Sequence, residues 1–178
     1  MNPGRPLRLL AAAFCAALCA GCSAGAPEGV TPVSGFELER YLGVWHEVAR
    51  LDHRFERGLT QVTAEYSPRP DGGVRVLNRG FNKAKNEWKE AEGRAYFTGD
   101  KGTGQLKVSF FGPFFGGYNI IDLDKEGYRY ALVCGPKRSY LWILARTPEL
   151  PEADLKRLLD RAAALGFDTG ALIYPGRQ

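Results

Sequence analysis

A ten-residue stretch near the start of the chain decides the fold; it reads Tyr41-Leu42-Gly43-Val44-Trp45-His46-Glu47-Val48-Ala49-Arg50. Gly43 allows a tight backbone turn where a strand begins, so the indole of Trp45 can fold under the structure that this strand helps to build. A Gly-x-Trp motif that opens a first strand is a means of plugging one end of a small barrel. The alternative is an ordinary core Trp that follows a turn.

A residue near the other end of the chain favours the plug. Arg146 ends the last strong strand pattern, residues 140–146. An Arg buried at a strand end needs carbonyl acceptors and an aromatic face, and Trp45 at the same barrel end offers that face for a cation–π contact of roughly 0.5–2 kcal/mol. We therefore predict a structural motif of Gly43, Trp45 and Arg146 at the plugged end.

The composition is that of one compact domain. The 178 residues are 44% hydrophobic and 12% aromatic, enough for one sizeable core. The formal net charge is +4, but residues 1–21 hold two of the basic groups and no acidic group, which leaves 22 basic and 20 acidic groups. A charge so balanced does not favour a nucleic acid as the partner.

Residues 1–21 have the features of a signal peptide. Arg5 and Arg8 precede an apolar run that is too short to span a membrane, and the run ends in Ala20-Gly21-Cys22. This ending resembles a bacterial lipobox, in which the Cys is acylated and becomes the mature N-terminus; the alternative is a plain secretory signal. The resemblance implies a lipid anchor at Cys22 and export to the outer membrane, with the domain facing the periplasm.

The rest of the chain divides into a short tether and one domain. Residues 22–34 lack periodicity and have the composition of a flexible linker, so we predict a lipidated tether there and a domain over 35–178. Cys15 and Cys19 fall in the removed segment and Cys22 carries the anchor. Cys134 therefore has no partner for an internal disulfide, and we expect it to be a small buried residue of a strand.

Short alternating runs predict an all-β domain with one helix. We expect strands near 44–52, 60–67, 74–81, 88–97, 105–111, 117–123, 128–134 and 139–146, joined mostly by hairpin-length turns. Such a series predicts an eight-stranded antiparallel up-and-down β-barrel, which leaves no edge strand exposed. A C-terminal α-helix follows between Glu149 and Gly166, with an apolar stripe that includes Leu155, Leu158 and Ala162 and should pack on the barrel.

The domain resembles a lipocalin, and in particular the bacterial outer-membrane lipocalins. The resemblance runs from about Gly35 to the C-terminus and rests on the segments 43–45, 52–58, 107–114, 116–119, 131–136 and 146–148. It implies a calyx that holds a lipid or another small hydrophobic ligand. A barrel filled by its own side chains, with a structural role and no ligand, is a third hypothesis.

The loops predicted at the open mouth are rich in basic residues. With Trp45 at the closed end, the mouth is formed by segments 53–59, 82–87, 112–116 and 135–138. These segments carry two acids, Glu56 and Glu87, beside the basic residues His53, Arg54, Arg57, Lys83, Lys85, Lys137 and Arg138. A basic rim over an apolar cavity suits a fatty acid or a lysophospholipid. The alternative is a solvated rim whose positive charge has no functional role.

Aromatic residues complete the predicted ligand site. If Arg146 turns inward, alternation places Trp142 and Tyr140 on the same inner face, nearer the mouth. The segment 110–118 adds five aromatic residues at the mouth, of which we select Phe110, Phe115 and Tyr118 as ligand contacts. The alternative is that these rings pack the strand ends. Exposed rings there would form an apolar patch for a homodimer or a bilayer.

No sequence motif indicates catalysis. The chain lacks a Gly-x-Ser-x-Gly elbow, a His-Glu-x-x-His motif, a Cys-x-x-Cys pair and a phosphate-binding loop. Its two histidines, His46 and His53, are seven residues apart and do not have the spacing of a metal site. We therefore predict a binding protein that is not an enzyme and that needs no cofactor and no metal.

Overall fold

A computed structural model describes residues 25–177. The predicted signal peptide and the acylation site at Cys22 lie outside the described residues. In chain order the structure has a short helix α1 (Leu38–Tyr41), eight strands, the main helix α2 (Glu152–Ala164) and a two-residue strand β9 (Leu172–Ile173). The eight strands are β1 (Gly43–Leu51), β2 (Leu59–Pro68), β3 (Val74–Asn82), β4 (Glu87–Phe97), β5 (Gln105–Phe111), β6 (Phe114–Leu123), β7 (Tyr130–Cys134) and β8 (Leu141–Ala145).

The sheet closes on itself, as the strand pattern predicted. Each strand from β2 to β8 pairs antiparallel with the next, and β1 pairs with both β8 and β2. The bounds agree with the prediction to within three residues. The largest difference is at β6, which begins at Phe114 instead of 117 because Phe111 pairs with Phe114 across a two-residue hairpin.

The barrel has two apolar clusters, one on each side of its wall. The inner cluster fills the closed half of the barrel and includes Trp45, Tyr66 and Ile120. The outer cluster lies between the wall and α2, where Leu155, Leu158 and Ala162 of the helix are buried. The apolar stripe of α2 therefore packs on the barrel, as predicted. The outer cluster also contains Cys134, which is buried and free, and burial raises the pKa of its thiol to about 12.

The predicted tether differs from the structure. The described part of it, residues 25–34, packs on the outside of the barrel: Val30 is buried in the outer cluster and the Val33 amide donates to the Ile120 carbonyl (2.8 Å). The Val33 carbonyl in turn accepts from the Gly104 amide (2.8 Å). Linker-like composition did not reveal this packing because two isolated Val side chains form no periodic pattern. None of the helices in the described part of the chain is long and apolar enough to cross a membrane.

Candidate ligand site in the barrel

The closed end of the barrel is sealed around Trp45. Its indole is fully buried, and its Nε1 donates to the Tyr41 carbonyl (2.7 Å). The Arg146 guanidinium lies 4.0 Å from the centre of the Trp45 ring and donates to the carbonyls of Val44 (2.9 Å) and Arg40 (2.7 Å). The predicted contact is therefore present, with the carbonyl acceptors that a desolvated Arg requires.

Gly43 has a specific role in this plug. Its φ is 92°, in the region that residues with a Cβ rarely adopt. A Cβ at this position would also lie 3.5 Å from Nη1 of Arg146. The turn that places Trp45 under the barrel therefore depends on a glycine.

Three tyrosines form a floor above the plug. The Tyr118 hydroxyl is 2.8 Å from that of Tyr41 and 2.7 Å from that of Tyr66. Burial raises the pKa of all three phenols, so they stay neutral and exchange hydrogen bonds inside the barrel. The apolar cavity beside them has a volume of about 20 Å³, enough for one water molecule and far too small for an alkyl chain. A ligand of any length must therefore lie between this floor and the mouth.

Near the mouth, four charged or titratable side chains are packed together. Arg50 is 1% exposed; its Nη1 donates to Glu47, and its Nη2 donates to the carbonyls of Glu56 (2.8 Å) and Leu59 (3.3 Å). Glu56 Oε2 accepts from Trp142 Nε1 (3.1 Å) and lies 3.1 Å from Nε2 of the buried His53. We call Glu47, Arg50, His53 and Glu56 the charged cluster.

The charged cluster is not fully satisfied. Arg50 Nε and both ring nitrogens of His53 are buried and have no well-aligned hydrogen-bond partner among the described residues; the short His53–Glu56 contact is an ion-pair distance with a poor angle. Burial and the neighbouring Glu56 raise the pKa of Glu47, against the opposite effect of Arg50. Burial also acts to raise the pKa of Glu56, but the contacts with His53 and Trp142 dominate and lower it. The two carboxyls thus differ in their readiness to lose a proton although they share one Arg.

Comparisons with known proteins agree with this geometry. A model of the lipocalin-like domain matches residues 36–177. The chain is 55% identical to the outer membrane lipoprotein Blc of Vibrio cholerae over 172 residues, covering 97% of this chain and all of that protein. It is 54% identical to the protein of the same name from Escherichia coli K12, covering 96% of each chain.

The chain belongs to the lipocalin family.

A solved structure supports the fold independently. Insecticyanin from the tobacco hornworm superposes with a TM-score of 0.67 at 22% identity, covering 86% of this chain and 87% of that one. The predicted location, lipid-anchored at the outer membrane, is confirmed by the bacterial relatives, which are named outer membrane lipoproteins. Lipocalins are binding proteins, and the described residues contain no group of three or more His, Cys, Asp or Glu side chains that could hold a metal ion.

Most of the aromatic residues selected from the sequence lie on the inner wall of this lipocalin. Trp142 and Tyr140 stack with their ring centres 6.1 Å apart, and both rings lie near His53. Phe110 and Tyr118 pack against the inner cluster. The Phe110 ring occupies the space over Gly93, where a Cβ would lie 2.8 Å from its Cδ1.

Phe115 is the exception among the aromatic residues. Its ring lies on the outer face of the barrel, 5.0 Å from Lys107 Nζ and 6.2 Å from the ring of Tyr96. Strand alternation explains the difference, because Phe115 and the inward-facing Tyr118 are an odd number of residues apart. Phe115 is therefore not placed to contact a ligand inside the barrel.

The predicted basic rim is smaller than the sequence analysis suggested. His53 is buried in the charged cluster, and Arg57 pairs with Asp52 (2.8 Å), an acid that the prediction had not counted at the mouth. Arg138 is exposed but donates to the carbonyls of Leu165 (2.9 Å) and Glu28 (2.7 Å), on the outer side of the barrel. The remaining predicted residues of the rim, Arg54, Lys83, Lys85 and Lys137, are exposed.

Three inner-facing charged residues of the mouth half were not predicted from the sequence. Glu47 and Arg50 lie in the stretch quoted first, and Lys89 occupies the position opposite Gly80, on the same face of β4 as Ala91 and Gly93. Period-two counting from Trp45 finds Glu47. It does not find Arg50, because a bulge between Glu47 and Ala49 shifts the alternation by one residue.

Proposed function

We propose that this lipocalin binds an amphiphile with a hydrocarbon tail and an anionic head, such as a fatty acid or a lysophospholipid, and stores or transports it at the outer membrane. The tail lies between the tyrosine floor and the mouth, and the head lies at the basic loops. The observation that carries the proposal is the contrast within the calyx between an inner wall of apolar and small residues and a charged cluster below the mouth.

The inner wall supports the position of the tail. Ala64, Ala91 and Gly116 occupy inner-facing positions of β2, β4 and β6, where larger side chains would fill the space above the floor. A Cβ added at Gly116 would meet no atom within 4 Å, so this side of the calyx is open. Apolar surroundings of this kind stabilise a tail by about 0.8 kcal/mol for each buried methylene.

The charges near the mouth support the anionic head. Arg50 holds a buried positive charge beside Trp142, and Lys89 and Lys137 are exposed at inner and loop positions of the mouth. Glu47 and Glu56 face the same region, so a head group gains from the exposed lysines more than from Arg50. The alternatives are another small hydrophobic ligand and a barrel without a ligand.

Blocking the calyx tests the position of the tail. Gly116→Leu fills the open inner space without a clash and should weaken binding of a fluorescent fatty acid by about tenfold, the equivalent of about two lost methylenes. Gly99→Leu is the matched control, because Gly99 is exposed in a closed-end turn with no atom within 4 Å of an added Cβ. Equal affinities for both variants would contradict the proposed position and favour a barrel without an internal ligand.

Charge reversal tests the head group. Lys89→Glu with Lys137→Glu should weaken binding of a fatty acid by about two- to fivefold per charge at low salt and leave binding of the matching fatty alcohol nearly unchanged. Lys101→Glu with Lys125→Glu makes the same charge change at the closed end and is the control. Equal losses for acid and alcohol would show that the ligand is not recognised by its charge.

The anchor itself is proposed at Cys22. Mass spectrometry of the protein extracted from membranes should find an acylated N-terminal Cys22, and Cys22→Ala should give a folded protein that is released from the membrane. A Cys22→Ala variant that stays membrane-bound would refute this anchor.

A further inference from the structure

The exposed apolar side chains of the barrel are concentrated at its mouth end. Five large apolar side chains are exposed among residues 25–177, and only Val44 is at the closed end. Phe55 is 59% exposed in the β1–β2 loop, Phe111 and Phe114 are 73% and 71% exposed at the β5–β6 hairpin, and Trp88 is 51% exposed where β4 begins. Three loops of one end thus present aromatic side chains to solvent, an arrangement that marks an interaction surface.

Basic side chains lie among these rings. The Arg54 guanidinium is 4.9 Å from the centre of the Phe55 ring, and Lys85 and Lys137 are exposed in the neighbouring loops. Of the nearby acids, Asp52 is paired with Arg57 and Glu90 with Arg79, which leaves Glu87 exposed. Aromatic rings with basic side chains fit the interface of an anionic bilayer, where rings insert at head-group depth and each basic residue adds attraction.

The N-terminal segment is fixed at the same end. Arg138 lies in the loop between β7 and β8, at the mouth, and its Nη2 donates to the Glu28 carbonyl (2.7 Å) while its Nε donates to the Leu165 carbonyl at the end of α2. From Glu28 the chain descends along the outer wall and reaches the closed end at Ser34, which bridges to Thr103. The chain therefore makes a turn at the mouth side, where the Val30 amide donates to the Pro27 carbonyl (3.0 Å), and Ala26 before this turn packs against the outer cluster.

Chain length then limits where the anchor can be. Glu28 comes six positions after Cys22, so even a fully extended backbone spans at most about 22 Å between them. Because Glu28 is held beside the mouth, a membrane at the mouth end is within easy reach of the acyl group. A membrane at the closed end would require the residues between Cys22 and this turn to be fully extended along the length of the barrel.

We propose that the mouth end, through Phe55, Phe111 and Phe114 and the basic residues of the same loops, binds the surface of the anionic bilayer in which the acylated Cys22 is embedded. The calyx then opens onto lipid instead of onto the aqueous phase. This inference rests on the acylation proposed above but not on the identity of the ligand.

Site-specific labels on the acylated protein test this orientation. A fluorophore on Ser139→Cys, in the β7–β8 loop, is compared with one on Gly99→Cys at the closed end; the native Cys134 is buried under α2 and Cys22 carries the acyl group. In vesicles of phosphatidylethanolamine and phosphatidylglycerol with a head-group quencher, the Ser139→Cys label should be quenched several-fold more strongly. Equal quenching of the two labels, or the reverse order, would overturn the proposal.

Variants of the surface sharpen the test. Phe111→Ser with Phe114→Ser should reduce quenching of the mouth label although the protein remains anchored, whereas Val44→Ser, the exposed apolar residue of the closed end, should not. Replacing phosphatidylglycerol with phosphatidylcholine should also reduce quenching of the mouth label. No effect of the double Phe variant would contradict the role of the hairpin.

Two further outcomes separate this proposal from its alternatives. If the mouth label is shielded from an aqueous quencher in proportion to the protein density, without quenching by lipid, then a second copy of the chain covers the mouth and the proposal is wrong. The Gly116→Leu variant should dock as the wild type does even though its calyx is blocked. Docking and ligand binding can therefore fail independently.

Discussion

The two ends of this barrel are built from similar residue types but in opposite ways. At the base, Arg146 donates three hydrogen bonds to carbonyls and covers the Trp45 ring. Near the mouth, Arg50 is shared between two carboxyls, its Nε makes no hydrogen bond to the described residues, and His53 is buried with poorly matched ring nitrogens. The base is thus a satisfied structural plug, whereas the mouth half retains buried polar groups that a stable fold does not need.

The difference indicates where stability and function lie. A sealed base with a cavity of about 20 Å³ gives no room for a ligand but closes the barrel. The mouth half combines small inner residues, an incompletely satisfied charged cluster and exposed aromatic rings. Variants at the base should therefore change the stability most, and variants near the mouth should have effects that depend on pH or ligand.

The largest effect is expected at the plug. Trp45→Ala removes a fully buried indole and should lower the free energy of unfolding by roughly 3–5 kcal/mol in a denaturant titration. Arg146→Ala should be strongly non-additive with it in a double-mutant cycle, because the two side chains are in contact. Trp88→Ala, which removes a half-exposed indole, is the control and should cost far less. Additive losses for Trp45 and Arg146 would exclude an energetic cation–π contact.

Removing the shared cation tests the charged cluster. Arg50→Met leaves Glu47 and Glu56 buried without their cation and should lower the free energy of unfolding by about 3 kcal/mol. Adding Glu47→Leu should recover part of this loss, since one uncompensated carboxyl is then removed. The exposed ion pair of Arg57 and Asp52 is the control, and Arg57→Met should change the stability little. No recovery in the double variant would show that Arg50 acts by packing rather than by charge.

The pH dependence of stability is the next effect in size. Because the pKa of Glu47 is raised in the folded protein, the folded state holds a proton that the unfolded state releases above its ordinary value of 4.5. The contribution of Glu47 to stability is then fully present below pH 4.5 and is lost as the pH rises through the folded pKa, at up to about 1.4 kcal/mol per pH unit.

Unfolding titrations between pH 4.5 and 8 test this direction of the pH dependence. Glu47→Gln cannot lose a proton, so its stability relative to the wild type should increase with pH in this range. Glu56 has a lowered pKa in the folded protein, so its contribution is lost only as the pH falls below about 4.5 and does not affect the comparison. A constant difference between Glu47→Gln and the wild type would mean that Glu47 titrates normally.

The smallest effect is expected at the tyrosine floor. Tyr118→Phe removes the hydroxyl that joins Tyr41 and Tyr66 and should lower the free energy of unfolding by about 1 kcal/mol. Tyr96→Phe, which removes a hydroxyl that bonds Asp71 on the outside, should have a smaller effect. If the two variants were equal, the buried hydrogen bonds of the floor would contribute no more than a surface contact.

Parts of the ligand site followed from the sequence and others did not. Counting by two from Arg146 correctly gave Trp142 as inner-facing, because β8 has no bulge between them. The same rule, applied to β6, would have placed Phe115 outside once Tyr118 was placed inside. The burial of His53 was not predictable in this way, since it lies in a loop that folds back over Arg50 and Trp142, where no periodicity applies.

By itself the sequence determined the number and order of the strands, the helix that packs on the wall, and the pair that closes the base. These features depend on local propensity, on period-two and helical patterns, and on a glycine with φ of 92°. Each of these signals is a pattern of residues that lie close together in the sequence. The tertiary structure alone decided that Arg50 faces inward, that residues 25–34 pack on the outer wall, and that Glu28 is held at the mouth end. A bulge of one residue reverses a strand face, and a contact such as Arg138–Glu28 joins residues 110 positions apart, so neither leaves a pattern in the local sequence.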